Sequence, residues 1–235
     1  MKVSLSYLSV FIVFLVTSCS NSINYTDSIK TETSGRYLYN LDAVIDVFYK
    51  DDNLFLTWRG AEIKPVALDE YTFFVPDMYQ KLRFLKHPDT NKSYLAIIPE
   101  NEGDTISYAY IKVSDTFNTP SMYLNHKNYE AALQGFMAIK MTDSTSQFIN
   151  EREFNSIGYK FLRDKAYDDA IAVFKINTAL HPDSDNVYDS LADGYLTQGD
   201  SVLAFNNYKK ALQLNPSNRR AKEFVSIYKE TNASH

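Results

Sequence analysis

Cysteine is nearly absent from this chain: Cys19 is the only one in 235 residues. A single thiol can form neither an internal disulfide nor a cysteine-based zinc site. Glycine is scarce too, with 7 residues against 18 tyrosines and 15 phenylalanines. That ratio calls for aromatic-rich strands or aromatic helix seams. Basic residues are outnumbered, 24 Lys and Arg against 29 Asp and Glu, for a formal net charge of −5. An acidic balance excludes a nucleic-acid-coating role, which needs clustered cations for the phosphates. The longest apolar run, Val3 to Val16, is too short to span a bilayer as a stable helix. What is plentiful is core-forming material: 45% of the chain is hydrophobic, which excludes wholesale disorder. At about 150 residues per domain, the length allows one large domain or two small ones.

The Val3–Val16 run follows Met1-Lys2 and has the length of a signal-peptide core. It closes on Val16-Thr17-Ser18-Cys19, with a small residue directly before the sole cysteine. This resembles a bacterial lipobox. The resemblance implies cleavage after residue 18 and transfer of a diacylglyceryl group to the nucleophilic Cys19 thiol. A signal peptide over 1–18 and a membrane anchor at Cys19 are therefore expected, in the bacterial cell envelope on its periplasmic side or at the outer membrane. An ordinary signal peptide that happens to contain a cysteine is the alternative. The polar stretch from Ser20 to Ser34 shows no periodicity, so 19–34 reads as a lipidated flexible tether.

Between 151 and 218, hydrophobic positions recur at a spacing of 34 residues: Phe154/Tyr188, Ile157/Leu191, Phe161/Tyr195, Ala170/Ala204, Phe174/Tyr208, Leu180/Leu214 and Pro182/Pro216. Within each unit the 3.6-residue period marks two helices, with a turn at Asp164-Lys165 or Gln198-Gly199-Asp200 and a proline after the second helix. Gly158 and Ala192 supply small residues in mid-helix, and Ala170 and Ala204 permit a close crossing; Asn177 stands where a small residue is usual. The pattern resembles tetratricopeptide repeats, with full repeats over 151–184 and 185–218. Two repeats bury little surface alone, so flanking helices are expected. A capping helix over 219–230 carries the stripe Ala221, Phe224, Val225 and Tyr228, with Arg219, Arg220 and Lys222 facing solvent. Upstream, Tyr129, Ala132, Leu133, Phe136 and Ile139 read as the second helix of a degenerate repeat, giving a helical domain over 126–230. The resemblance assigns the concave face to Asn155, Tyr159, Arg163, Asp189, Asp193 and Thr197, where a protein or peptide partner is expected. A merely solvated face on a structural spacer is the other reading.

Residues 35–118 read as an antiparallel β-domain. Short aromatic and β-branched runs recur, among them Ala43–Tyr49, Asn53–Trp58, Tyr71–Val75, Lys81–Leu85, Ser93–Ile98 and Ile106–Val113. Asp51-Asp52-Asn53 and Asn101-Glu102-Gly103-Asp104 fit hairpin turns. A small barrel or sandwich is expected, so the fold class is α+β: a β-domain followed by a helical repeat array. Gly35-x-Tyr37, Leu54-Phe55-Leu56, Phe73-Phe74 and Leu82-Arg83-Phe84 come in an order similar to the lipocalin-like β-domain of β-lactamase-related serine hydrolases. Some of those proteins continue into tetratricopeptide repeats. The resemblance implies kinship to an accessory region without the catalytic domain.

No catalytic set follows from it. Ser226-Ile-Tyr-Lys229 and Tyr123-Leu-Asn125 match two motifs of that family by spelling, but in reversed chain order and without a third motif. His87, His126, His181 and His235 are scattered, which gives no metal site, and nothing points to a cofactor. Trp58 and the tyrosines can line a ligand cavity or simply pack a core. The Asn24, Asn91 and Asn232 sequons carry little weight if the lipobox makes the chain bacterial. The leading expectation is a non-catalytic, lipid-anchored interaction scaffold. The alternatives are a detached accessory subunit of a serine hydrolase and a small-ligand carrier acting through the β-domain.

Overall fold

The computed structural model describes residues 23–101 and 103–233. The signal peptide and Cys19 lie outside the described residues. Nine strands form one curled antiparallel sheet: β1 (Gly35–Tyr39), β2 (Ala43–Lys50), β3 (Asn53–Trp58), β4 (Ala61–Ile63), β5 (Val66–Ala67), β6 (Thr72–Val75), β7 (Gln80–Lys86), β8 (Ser93–Ile98) and β9 (Ser107–Val113). Their order is β4-β3-β2-β1-β9-β8-β7-β6-β5, so the sheet curls round until its short edge strands are joined only by Lys64-Pro65. The expected closed barrel or sandwich is therefore a half-barrel. Strand alternation decides its inner face: Ile45 and Val47 of β2 are buried, while Asp46 between them points outward to pair with Arg36. Asp51 and Asp52, at φ of 46° and 60°, make the two-residue turn expected between β2 and β3.

The supposed tether is corrected from residue 25 onward. Asp27–Thr33 is a helix, α1, capped by the Thr26 hydroxyl, which accepts from the Ile29 backbone N–H at 3.3 Å. Tyr25, Ile29 and Thr33 are buried in the half-barrel core. The Thr33 hydroxyl lies 2.7 Å from the Tyr49 hydroxyl, and Tyr37 Oη donates to the Thr33 carbonyl at 2.9 Å. The segment belongs to the β-half as its inner plug. Ile29→Ala is accordingly expected to cost about 2–3 kcal/mol, read as a shift of the urea midpoint. A free tether would give no shift.

Seven further helices follow: α2 (Pro120–Asn125), α3 (Tyr129–Thr142), α4 (Glu151–Arg163), α5 (Tyr167–Leu180), α6 (Asp185–Gln198), α7 (Ser201–Leu214) and α8 (Arg219–Ala233). α4/α5 and α6/α7 are the two full repeats, α8 follows as the cap, and α3 is preceded by a short first helix, α2. The helical part thus begins at Pro120 rather than 126. Between α5 and its neighbours the packing is tight. Phe174, fully buried, lies where a Cβ added at Gly158 of α4 would meet its ring at 2.3 Å and one at Gly194 of α6 at 3.1 Å.

Candidate functional site

Two rows of residues, one per repeat, occupy equivalent positions on the first helices: 151, 155, 159 and 163 on α4, and 185, 189, 193 and 197 on α6. Spaced by four, each row stays on one side of its helix. These rows contain all six residues assigned to the partner face, and the structure treats them differently.

Asn155 is not available to a partner. It is buried, and its side-chain oxygen accepts from Asn177 Nδ2 at 3.0 Å. The same Asn177 nitrogen donates to the Glu151 carbonyl at 3.0 Å. This explains the residue that departs from the repeat pattern: Asn177 ties α5 to the start of α4 instead of merely letting the helices approach. Its own Oδ1 is buried without a partner among the described residues.

Tyr159, Asp189 and Asp193 do come together, around an arginine expected to face solvent. Arg220, in the first turn of α8, reaches back to α6. One guanidinium nitrogen pairs with Asp189; the other donates to Asp193 Oδ2 at 3.0 Å. Arg220 also donates to Tyr159 Oη at 3.3 Å, and Ser190 Oγ accepts from Tyr159 Oη at 3.5 Å. Burial works against the guanidinium charge, but the bonds to Asp189 and Tyr159 outweigh it and hold its pKa well above the usual value. Asp189 is 4% exposed, and its second oxygen has no partner among the described residues. Asp185 completes the acidic row and is also taken, accepting from Asn215 at 3.1 Å and Asn218 at 3.0 Å. The segment 215–220 therefore covers the α6 row, and Arg220, exposed as expected, also reaches back to its aspartates.

Arg163 and Thr197, at the far ends of the two rows, stay exposed and outside this cluster, although the Thr197 hydroxyl donates to the Asp193 carbonyl at 2.8 Å. Ser190 and Arg220 escaped sequence reading. The available signal was an Asp row spaced by four, followed by Arg219-Arg220.

The residues spelling hydrolase motifs are used structurally. Ser226 is exposed on α8 and donates to Glu230 at 3.1 Å, while Tyr123 packs beside the core of α3–α5. His87 lies against the ring of Tyr108 at 4.7 Å, and His181 Nε2 is 2.8 Å from the Ile149 carbonyl. His126 closes the C-terminal end of α2.

The halves are pinned together by buried polar contacts. Asp42, in the β1–β2 turn, accepts from the Ser121 backbone N–H at 2.8 Å and from its hydroxyl, at the start of α2. Arg36, bidentate to Asp46 at 2.7 and 3.1 Å, also donates to the Phe117 carbonyl at 2.6 Å. Burial pushes the Asp42 carboxyl above its usual range, against hydrogen bonds from Ser121 and Thr119 that pull it down. A carboxyl with a raised folded pKa favours the folded state below its unfolded pKa, and that contribution is lost as pH rises through the folded value. Asp42→Asn keeps an acceptor for the Ser121 N–H and cannot ionise. Its stability relative to the parent should therefore be higher near neutral pH and lose that advantage on acidification to about pH 4. Urea denaturation at both pH values measures this.

No protein-family model matches the chain. A curated relative, the tetratricopeptide repeat domain-containing protein PYG7, chloroplastic, of Arabidopsis thaliana, is 27% identical over 124 residues, covering 49% of this chain and 41% of that protein. The chain spans about two fifths of that relative's length. The helical half has a tetratricopeptide-type fold. Among solved structures, the crystal structure of MamA aligns at 18% identity and a TM-score of 0.34, covering 48% of this chain and 64% of that one. The first such domain of Spaghetti (RPAP3), bound to the HSP90 peptide SRMEEVD, aligns at 17% identity and a TM-score of 0.34, covering 48% and 87%.

Proposed function

We propose that the protein is a non-catalytic interaction scaffold, lipidated at Cys19 and held at the bacterial cell envelope. The carrying observation is the pair of tetratricopeptide-type repeats in register, whose first helices present matching side-chain rows. The curated relative PYG7 is by its name a tetratricopeptide repeat domain-containing protein. Because α8 covers the Asp185–Asp193 row, the partner contact is assigned to the open ends of the rows, at Arg163 and Thr197.

Two measurements test this. A photo-crosslinking residue at Thr197 in the full-length protein, irradiated in its own membranes, should give one defined protein adduct, absent when Arg163 is changed to Glu. The absence of any adduct removes the scaffold reading. Separately, Cys19→Ser should move the protein from the membrane to the soluble fraction; retention on the membrane overturns the lipid anchor alone.

A further inference from the structure

Where the rim of the half-barrel meets α2 and the Gln147-Phe148 turn, the structure leaves a cleft of about 650 Å³. That is within the ordinary range for small-molecule sites. The half-barrel interior is packed with side chains, and this cleft opens at its rim, where it needs both halves to form. Its β-side wall carries Tyr39, Trp58 and Tyr110, all from the inner face of the sheet, with the Tyr39 and Tyr110 rings 4.9 Å apart.

The polar groups sort into two sets. Asp42 and Asp46 are committed to Ser121 and Arg36. Thr57, Arg59, Asp77, Asn125 and Gln147 also line the cleft, and none has a side-chain hydrogen bond among the described residues. The free set therefore balances one cation against one carboxylate. It adds two carboxamides and a hydroxyl, groups that both donate and accept.

Arg59 supplies an independent observation. It forms the β3–β4 turn with Gly60 at φ of 50° and 79°, a position where glycine or asparagine is usual. A left-handed arginine is costly, and such outliers gather at functional sites. This one lays its guanidinium over the Trp58 ring, 4.6 Å from the centroid, at the cleft edge.

We infer that this cleft binds a neutral sugar of one or two rings. Aromatic faces suit the apolar C–H face of a pyranose. Carboxamides, a hydroxyl and the Arg59/Asp77 pair suit its hydroxyls, which can donate and accept at once. An apolar ligand leaves these polar groups unpaired, at a cost. An anionic ligand meets no net positive charge, because carboxylates outnumber cations in the lining.

Trp58 is the only tryptophan, so its emission reports on the site directly. The test is a fluorescence titration of the full-length protein in detergent with methyl β-glucoside, N-acetylglucosamine and cellobiose, and with glucuronate and glucosamine as charged comparators. At least one neutral probe should give a saturable change, with the charged sugars about tenfold weaker or worse. Arg59→Gly removes the strained residue without straining the turn and should weaken binding about tenfold while leaving the far-ultraviolet circular dichroism unchanged. Tyr39→Ala, at an exposed ring, is the second variant and should do the same. The site is overturned if no neutral sugar saturates, or if both variants bind like the parent. Equal or tighter binding of a charged sugar overturns the neutral class.

Discussion

Phe174→Ala is expected to lower the unfolding free energy by about 3–5 kcal/mol. The ring is fully buried between two first helices, edge-on to Tyr159 at a centroid distance of 5.2 Å. No neighbour can collapse into its place, because the backbones of α4 and α6 already approach it through Gly158 and Gly194. The reciprocal change makes the same point from the other side. Gly158→Ala gains about 1 kcal/mol of helix propensity. Its new methyl, however, would sit 2.3 Å from Phe174, so overpacking should win and cost about 1–3 kcal/mol net. The two changes share one space, so the double variant should be less destabilised than their sum. Urea midpoints of the three variants decide it. Strict additivity would show that the ring and the glycine do not meet.

The second large effect is at the arginine that closes the array. Removing a partner from a buried ion pair strands the other charge, at about 3–5 kcal/mol. The Arg220 side chain is half exposed, at 49%, while that of Asp189 is buried, so the lower end applies. Arg220→Ala should cost about 3 kcal/mol. Exchanging both charges for apolar residues of similar size, in Asp189→Leu with Arg220→Met, leaves no stranded carboxylate, and should recover most of that loss. If the double variant is as unstable as Arg220→Ala, the cost lies in lost packing and not in the carboxylate. Asp193 on the same guanidinium moderates both results, because it is better solvated.

The helical half was the more legible in sequence, for a physical reason. Repeats state each contact twice: Phe154 and Tyr188, or Ala170 and Ala204, fill the same role in successive units, so spacing alone reveals them. The strands were readable where they are long enough for alternation to show. β4 and β5, of three and two residues, are too short for any period to register. Nor does their Arg59-Gly60 turn spell a preferred turn pair. α1 was missed because its apolar signal is only Tyr25, Ile29 and Thr33 at every fourth position, inside a segment of tether-like composition. The candidate faces were misread for another reason. Asp189 and Arg220 meet across 31 residues, and no local pattern tells an aspartate awaiting a partner from one already held within its own chain. The cleft beside Trp58 was still less visible, since its walls come from both halves of the chain.

The seam between β1 and β9 joins Arg36 to Val113, the first and last strands of the sheet. Its consequence concerns the order of events during synthesis. Every other ladder in the sheet links strands consecutive in the chain, so most of the half-barrel can grow as a meander while the chain emerges. The central pairing cannot form until Val113 is available, and that long-range closure is the kind of step that slows folding. Until then β1 has one hydrogen-bonding edge open, flanked by the apolar residues that later form the core. The repeats have no such delay, because their contacts are local. The N-terminal half, though made first, should therefore be completed late and stay vulnerable to misassociation longest. Pulse proteolysis of chains stalled on either side of Val113 would register this as an abrupt gain of protection when the last strand arrives.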